Sequence, residues 1–198
     1  MSNIQSFLKR TMDILVSIIV LTMLSWLILF CLLIAWIDTG ISGIYRQERI
    51  GLAGKKFNLW KIRSMKNIVG YDTTVTTKND PRITRSGRFF RKTKIDELPQ
   101  FVNVLCGDMS LVGPRPDVSG FADKLEGEDQ IILTIRPGIT GPASIYFKNE
   151  EELLASQEEP ENYNYQVIWP KKIQLNKKYI NEWSFSKDIY YIFRTVFS

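Results

Sequence analysis

The sequence predicts a mostly helical α+β protein, in which a membrane-embedded N-terminal helix (residues 1–40) precedes a compact domain (41–198) with one small β-hairpin and interfacial helices. Three observations predict it. Residues 14–37 form an apolar run without a single charge. Two short stretches that read as strands flank the turn-like GLAG at 51–54. The rest carries the cap and stop signals of a short helix over 96–107, and an aromatic-rich tail.

A helix over 14–37 would be about 36 Å long, against a hydrocarbon core of about 30 Å. A cleaved signal peptide has a shorter apolar stretch and a small-residue cleavage site, and neither is present. A fully buried core helix would need more protein around it than the remaining chain supplies. Lys9 and Arg10 precede the run, and Arg46, Arg49, Lys55 and Lys56 follow it. Basic residues stay on the cytoplasmic side. A straight crossing strands one of the two groups, whereas a segment that enters and returns keeps both inside. The charge count alone is compatible with either.

With 198 residues the chain has room for one modest core. The net charge of +5 and pI of about 9.1 suit an anionic partner: nucleic acid, an anionic membrane face, or a phosphate-rich substrate. No nucleic-acid-binding motif is present, which argues against the first. Histidine is absent, so chemistry near neutral pH cannot rest on an imidazole base or a His metal ligand. Carboxylates, Lys, Arg, hydroxyls, Cys106 or a hard metal ion remain. Cys31 and Cys106 form neither a disulfide framework nor a metal motif.

Residues 44–50 and 56–64 are expected to pair as the hairpin, and 70–81 reads as a polar loop. A basic run follows: Arg82, Arg85, Arg88, Arg91, Lys92 and Lys94. Over 96–107 the signals predict a short helix, with Asp96 as cap, Pro99 in the first turn, Phe101, Val102 and Leu105 as its apolar stripe, and Gly107 as stop. Gly113-Pro114-Arg115-Pro116 must be a stiff, extended loop. Arg136-Pro137-Gly138 is expected to open a tight turn. The acidic stretch 150–161, with six glutamates, reads as a surface insert. The tail 183–197 fits an interfacial helix or an amphipathic helix closing the core.

Asp96-Glu97 is the candidate centre. The bland reading of such a pair is a cap plus a favourable first-turn charge. Here Arg91, Lys92 and Lys94 stand close by in sequence and would keep the carboxylates ionised. An ionised carboxylate can attack phosphorus or hold Mg²⁺, and the surrounding cations would neutralise phosphate oxygens. Arg115, presented by two prolines, is either a second phosphate clamp or a structural arginine on backbone carbonyls.

KRTMD at 9–13, QERIGLAGKKFNLWKIRSM at 47–65, KIDELPQFVNVLCGDMSLVGPRP at 94–116 and RPGITG at 136–141 resemble the monotopic phosphoglycosyl transferases, a family of bacterial sugar transferases. The resemblance runs over nearly the whole chain. It implies an enzyme on the cytoplasmic face of the bacterial inner membrane that takes a UDP-sugar and polyprenol phosphate and yields polyprenyl-diphosphate sugar and UMP. It further implies that Asp96 is the nucleophile forming a covalent phosphosugar, that Glu97 assists, and that Mg²⁺ sits at Asp96 and Glu97. Lys61, Arg91 and Arg115 match positions of phosphate or nucleotide contacts, and Arg63 and Arg136 are added for their motifs and charge. The partners implied are donor, lipid acceptor and membrane lipid, without nucleic acid; homo-oligomerisation is left open.

Family anchors are re-entrant helices broken at Ser-Pro. Ser25-Trp26 stands at that place, so a dip-and-return here must bend without proline. Pro142, the acidic 150–161 stretch and Asn176 also depart from the family pattern and leave the donor sugar open. The competing class is a non-catalytic, membrane-anchored basic module for anionic lipid or a protein partner.

Overall fold

The computed structural model describes residues 2–68 and 80–197. Helix α1 (Asn3–Thr39) begins at a capping box, in which Ser2 accepts from the Gln5 N–H and Gln5 reaches back to the Ser2 N–H. It ends at Gly40, left-handed at φ 74°. It is long and apolar enough to cross a membrane. No non-helical residue interrupts it at Ser25, whose hydroxyl donates back to the Thr22 carbonyl at 3.1 Å.

The predicted hairpin is present, with β1 (Ile44–Ile50) antiparallel to β2 (Lys56–Ile62) and Tyr45 opposite Lys61. The segment 70–81 falls almost wholly outside the described residues. Thr84 caps α2 (Arg85–Thr93), which carries much of the basic run. Lys94 then adopts φ 58°, turning the chain into a 3-10 turn over Ile95–Glu97.

Here the structure corrects the sequence reading. Asp96 lies inside that turn and caps nothing; the chain continues helically through Leu98 and Pro99 into α3 (Gln100–Cys106). Its buried residues are Gln100, Asn103 and Val104, while Phe101, Val102 and Leu105 are only half-buried. Asn103 is buried because it serves the backbone. Its Oδ1 accepts from the Trp60 N–H at 3.0 Å, and its Nδ2 donates to the Asn58 carbonyl at 2.7 Å, fastening α3 to β2.

Arg136-Pro137-Gly138 opens no tight turn but leads into β4 (Gly138–Thr140), parallel to β3 (Ser110–Val112). A Cβ on Gly138 would stand 2.1 Å from the Gly113 nitrogen, so only glycine allows the two loops to approach. The acidic stretch forms α5 (Glu150–Ala155) and α6 (Pro160–Tyr163), after α4 (Pro142–Tyr146). Two longer helices follow, α7 (Trp169–Asn181) and α8 (Phe185–Val196).

The main core joins Leu59 of β2, Val104 of α3, Met109, Leu111 and Val112 around β3, and Tyr179 of α7, with Met12 and Val16 of α1 packed on it. A second cluster joins Cys31 and Ala35 of α1 to Ile62 and Phe90. Both ends of α1 therefore pack on the same domain. Between Ser17 and Cys31 no residue of α1 is buried.

Polar bonds reinforce both ends. Arg10 donates to the Val104 and Leu105 carbonyls at 2.6 and 2.9 Å, and Asp13 accepts from the Ser110 hydroxyl and the Leu111 N–H. Buried Lys9 meets Asp188 of α8 at 2.5 Å. At the other end Asp38 accepts from the Ser86 hydroxyl at 2.5 Å. Lys9 is thus buried in an ion pair, and half-buried Arg10 is bonded to backbone carbonyls of α3.

Helix α8 closes the core, as one reading of the tail expects, and leaves an apolar face exposed. Asp188 is fully buried and Tyr191 and Ile192 pack on the core, while Phe185, Ile189, Phe193 and Phe197 leave an exposed apolar stripe at four-residue spacing.

Candidate active site

Three segments meet at Glu97. The 3-10 turn supplies Asp96 and Glu97, strand β2 supplies Lys61, and the loop after β3 supplies Arg115. Lys61 Nζ stands 3.1 Å and Arg115 Nη2 2.7 Å from the same oxygen, Glu97 Oε1. Each position is set by local structure. Asn103 fixes β2 against α3, and with it Lys61 against Glu97. The Arg115 loop is stitched by Gly113 N–H to the Thr140 carbonyl at 2.9 Å and Gly138 N–H to the Pro114 carbonyl at 2.7 Å. From the hairpin side, Arg49 donates to the Pro116 carbonyl at 3.2 Å and the Ile50 N–H to the Asp117 carbonyl at 3.0 Å. Arg115 is therefore a clamp on a carboxylate and no backbone-bonded strut.

The two carboxylates have opposite electrostatics. Burial alone would raise Glu97, but Arg115 and Lys61 outweigh it and hold the carboxyl well below the usual range. Asp96 is 5% exposed, and its Oδ1 has no hydrogen-bond partner among the described residues. Burial pushes its pKa up, with Glu97 adding to the rise and Lys61, Arg91 and Lys94 opposing it. Glu97 is thus a fixed anion that organises cations, and Asp96 a desolvated carboxylate with a free lone pair. That pairing suits attack on an electrophile whose charge the cations share.

The remaining expected residues divide. Arg91 ends α2 near the dyad and acts on Asp96 electrostatically, but its Nη2 is bonded to Glu151 of α5. Arg63 donates to the Ser42 and Ile44 carbonyls and lies over the Tyr45 ring, and Arg136 donates to the Gly107 carbonyl at 2.7 Å. The described contacts bring neither of these two to the dyad.

Sequence reasoning missed three groups on the Arg115 side of the site. Arg49, half-buried with its Nε unpartnered, is pushed down to about 10 by burial and by Arg115. Asp117 is pushed up to about 6 by burial, against the pull of Lys172, Arg49 and Arg115. Lys172 of α7 pairs with Glu150 at 2.8 Å. A signal existed for two of them, since Arg49 lies within QERIG and Asp117 directly follows GPRP.

As for a metal, no group of three or more His, Cys, Asp or Glu that could hold an ion occurs among the described residues. The free Asp96 oxygen beside a second carboxylate still fits Mg²⁺, which takes one or two carboxylates and completes its shell with water and substrate phosphate.

Comparison with known proteins bears on this arrangement. Over 204 residues the chain is 37% identical to the UDP-glucose:undecaprenyl-phosphate glucose-1-phosphate transferase of Escherichia coli (strain K12), covering 100% of this chain and 41% of that protein. It is 36% identical over 205 residues to the undecaprenyl-phosphate galactose phosphotransferase of Salmonella typhimurium, covering 96% of this chain and 40% of that one. A putative undecaprenyl-phosphate N-acetylgalactosaminyl 1-phosphate transferase of Bacillus subtilis (strain 168) is 47% identical over 123 residues, 61% of this chain and 68% of its own length. The chain thus spans about two fifths of the first two relatives. The family model for bacterial sugar transferases matches residues 4–198, and this chain belongs to that family.

Proposed function

We propose that this chain transfers a sugar 1-phosphate from a UDP-sugar to polyprenol phosphate and releases UMP, at the cytoplasmic face of a bacterial inner membrane. The observation that carries the reading is the buried, unpartnered Asp96 oxygen beside a Glu97 that gathers Lys61 and Arg115. The Escherichia coli relative is named for UDP-glucose and undecaprenyl phosphate, and the Salmonella typhimurium relative for galactose and undecaprenyl phosphate.

In this reading Asp96 attacks the sugar-bearing phosphorus, the bond from that phosphorus to the bridging oxygen breaks, and UMP leaves. An oxygen of the lipid phosphate then attacks the same phosphorus, the acyl-phosphate bond breaks, and Asp96 is restored. Lys61 and Arg115 hold the phosphate oxygens as charge moves, and Arg91 does so once released from Glu151. Bound at Asp96 and Glu97, Mg²⁺ would shield the diphosphate.

A lipid acceptor requires the site to face a bilayer, and the packing of α1 supports one arrangement. Both ends of the helix are bonded to one domain while its middle, with Met23, Trp26 and Leu29 exposed, carries no buried residue. An anchor whose middle enters the hydrocarbon while both ends stay with the domain meets these conditions, and it requires α1, unbroken at Ser25, to bend there without a break, with the α8 stripe resting at the interface. A true crossing would separate its ends by about 30 Å of hydrocarbon.

The test is UMP release by the purified full chain across UDP-glucose, UDP-galactose and UDP-N-acetylgalactosamine, with and without undecaprenyl phosphate. Sustained release with the acceptor is expected for at least one donor. No release from a wide donor panel would favour the basic binding module instead.

A further inference from the structure

We propose that the acidic helix α5 is a displaceable counter-ion for the phosphate site, with Glu151 and Glu150 holding Arg91 and Lys172 until the donor's diphosphate replaces them. The inference deepens the reading of the site as phosphate-binding and rests on that reading.

Glu151 Oε1 is bonded to Arg91 Nη2, and Glu150 Oε1 meets Lys172 Nζ at 2.8 Å. Glu150 also acts electrostatically on Arg115 and on Asp117. Two adjacent carboxylates on one short helix thus hold Arg91, which acts on Asp96, and Lys172, which acts on Asp117 beside Arg115. A diphosphate offers the same cations a similar pair of anionic groups.

Helix α5 is built to yield. It has six residues, too few to persist without tertiary support, and only Leu154 among them is buried. No side chain caps its N-terminus. The Glu151 side chain is 44% exposed, so water can replace its partner when the pair opens. Arg91, at 22%, is the more enclosed member, and its Nε lies buried without a partner. An arginine with a buried, unused donor gains from a ligand that can take more than one of its N–H groups, which a phosphate does better than a lone Glu151 oxygen.

The consequence is a toll on donor affinity that falls on KM and not on the chemical step. Glu151→Gln and Glu150→Gln/Glu151→Gln should lower the KM for UDP-sugar, and the dissociation constants of UMP and inorganic pyrophosphate, by about three- to tenfold. The gain should shrink as salt rises. Glu151→Asp, which keeps the charge, should return KM most of the way to wild type. Each variant is measured as the full chain in detergent, with kcat and KM taken separately and pyrophosphate binding followed by calorimetry. A raised KM would show that Glu151 positions Arg91 for the donor, and an unchanged KM with unchanged pyrophosphate affinity would show that α5 does not compete; either overturns the proposal. Tighter pyrophosphate binding in Glu151→Gln without turnover of any UDP-sugar would sustain the counter-ion role while rejecting the transferase reading.

Discussion

Replacing Asp188 by Asn should cost about 3–5 kcal/mol of folding stability, because it strands a buried ammonium. The Lys9 and Asp188 side chains are 8% and 0% exposed and meet at 2.5 Å. Of its hydrogen bonds Lys9 would keep those to the Val112 carbonyl at 2.9 Å and the Tyr179 hydroxyl at 3.4 Å, neither of which carries charge, with Asp13 as its remaining acidic neighbour. Lys9→Met should cost less, roughly 2–3 kcal/mol, since Asp188 retains the Tyr179 hydroxyl at 2.6 Å and the Trp183 N–H at 3.1 Å. The double replacement Lys9→Met/Asp188→Leu removes both charges and should be less damaging than the sum of the single changes, a coupling above about 1 kcal/mol. Against a total stability of about 5–15 kcal/mol, the single change at Asp188 would visibly loosen α1 from the domain. Unfolding curves in detergent, with limited proteolysis across the α1 junction, measure both effects. A cost below about 1 kcal/mol for Asp188→Asn, with no coupling in the cycle, would refute the reasoning.

Three further outcomes are expected. Asp117 rises from 3.8 to about 6 on folding, so the stability it contributes is present below pH 4 and lost as pH climbs to 6. The full shift is worth at most about 3 kcal/mol, and partial exposure reduces it; Asp117→Asn should flatten the stability–pH curve in that window, read as the difference in unfolding free energy from wild type. Turnover should fall on acidification at a pH above that of an ordinary aspartate, because Asp96 must be ionised to attack and burial raises its pKa; a pH–rate profile with no such acidic limb would contradict that role. Gly138→Ala places a methyl 2.1 Å from the Gly113 nitrogen and should cost about 3 kcal/mol, with loss of Arg115 placement, measured by unfolding and by donor KM.

How much of this was legible in the sequence depended on whether a signal was local. The hairpin, the left-handed stop at Gly107 and the apolar helix follow from turn residues and periodicity, which act over a few positions. Asp96 was misread as a cap because a 3-10 turn, set by left-handed Lys94, replaced the expected helix start. On α3 Phe101 of the expected stripe packs on the core, but the deepest positions go to Gln100, Asn103 and Val104, because Asn103 turns inward to satisfy β2 backbone groups, a long-range demand that no hydrophobic pattern encodes. Lys9 and Arg10 read as a flanking basic group on the cytoplasmic side, yet their partners Asp188, Val104 and Leu105 lie far along the chain. At the site, Glu97 gathers Lys61 and Arg115, three of the seven residues that motifs resembling a family single out. Arg63 and Arg136 carried the same charge but bond to backbone carbonyls, which sequence cannot distinguish. The acidic insert looked like solvated surface, and only its fold brings Glu150 and Glu151 to Lys172 and Arg91.

The role of Asp96 is tested most directly by mass spectrometry of the full chain mixed with its UDP-sugar and no lipid acceptor. A covalent mechanism predicts one UMP released per chain and a mass gain of one sugar phosphate on the peptide bearing Asp96, both absent in Asp96→Asn. Wild-type turnover by Asp96→Asn, or the adduct on another residue, would contradict it.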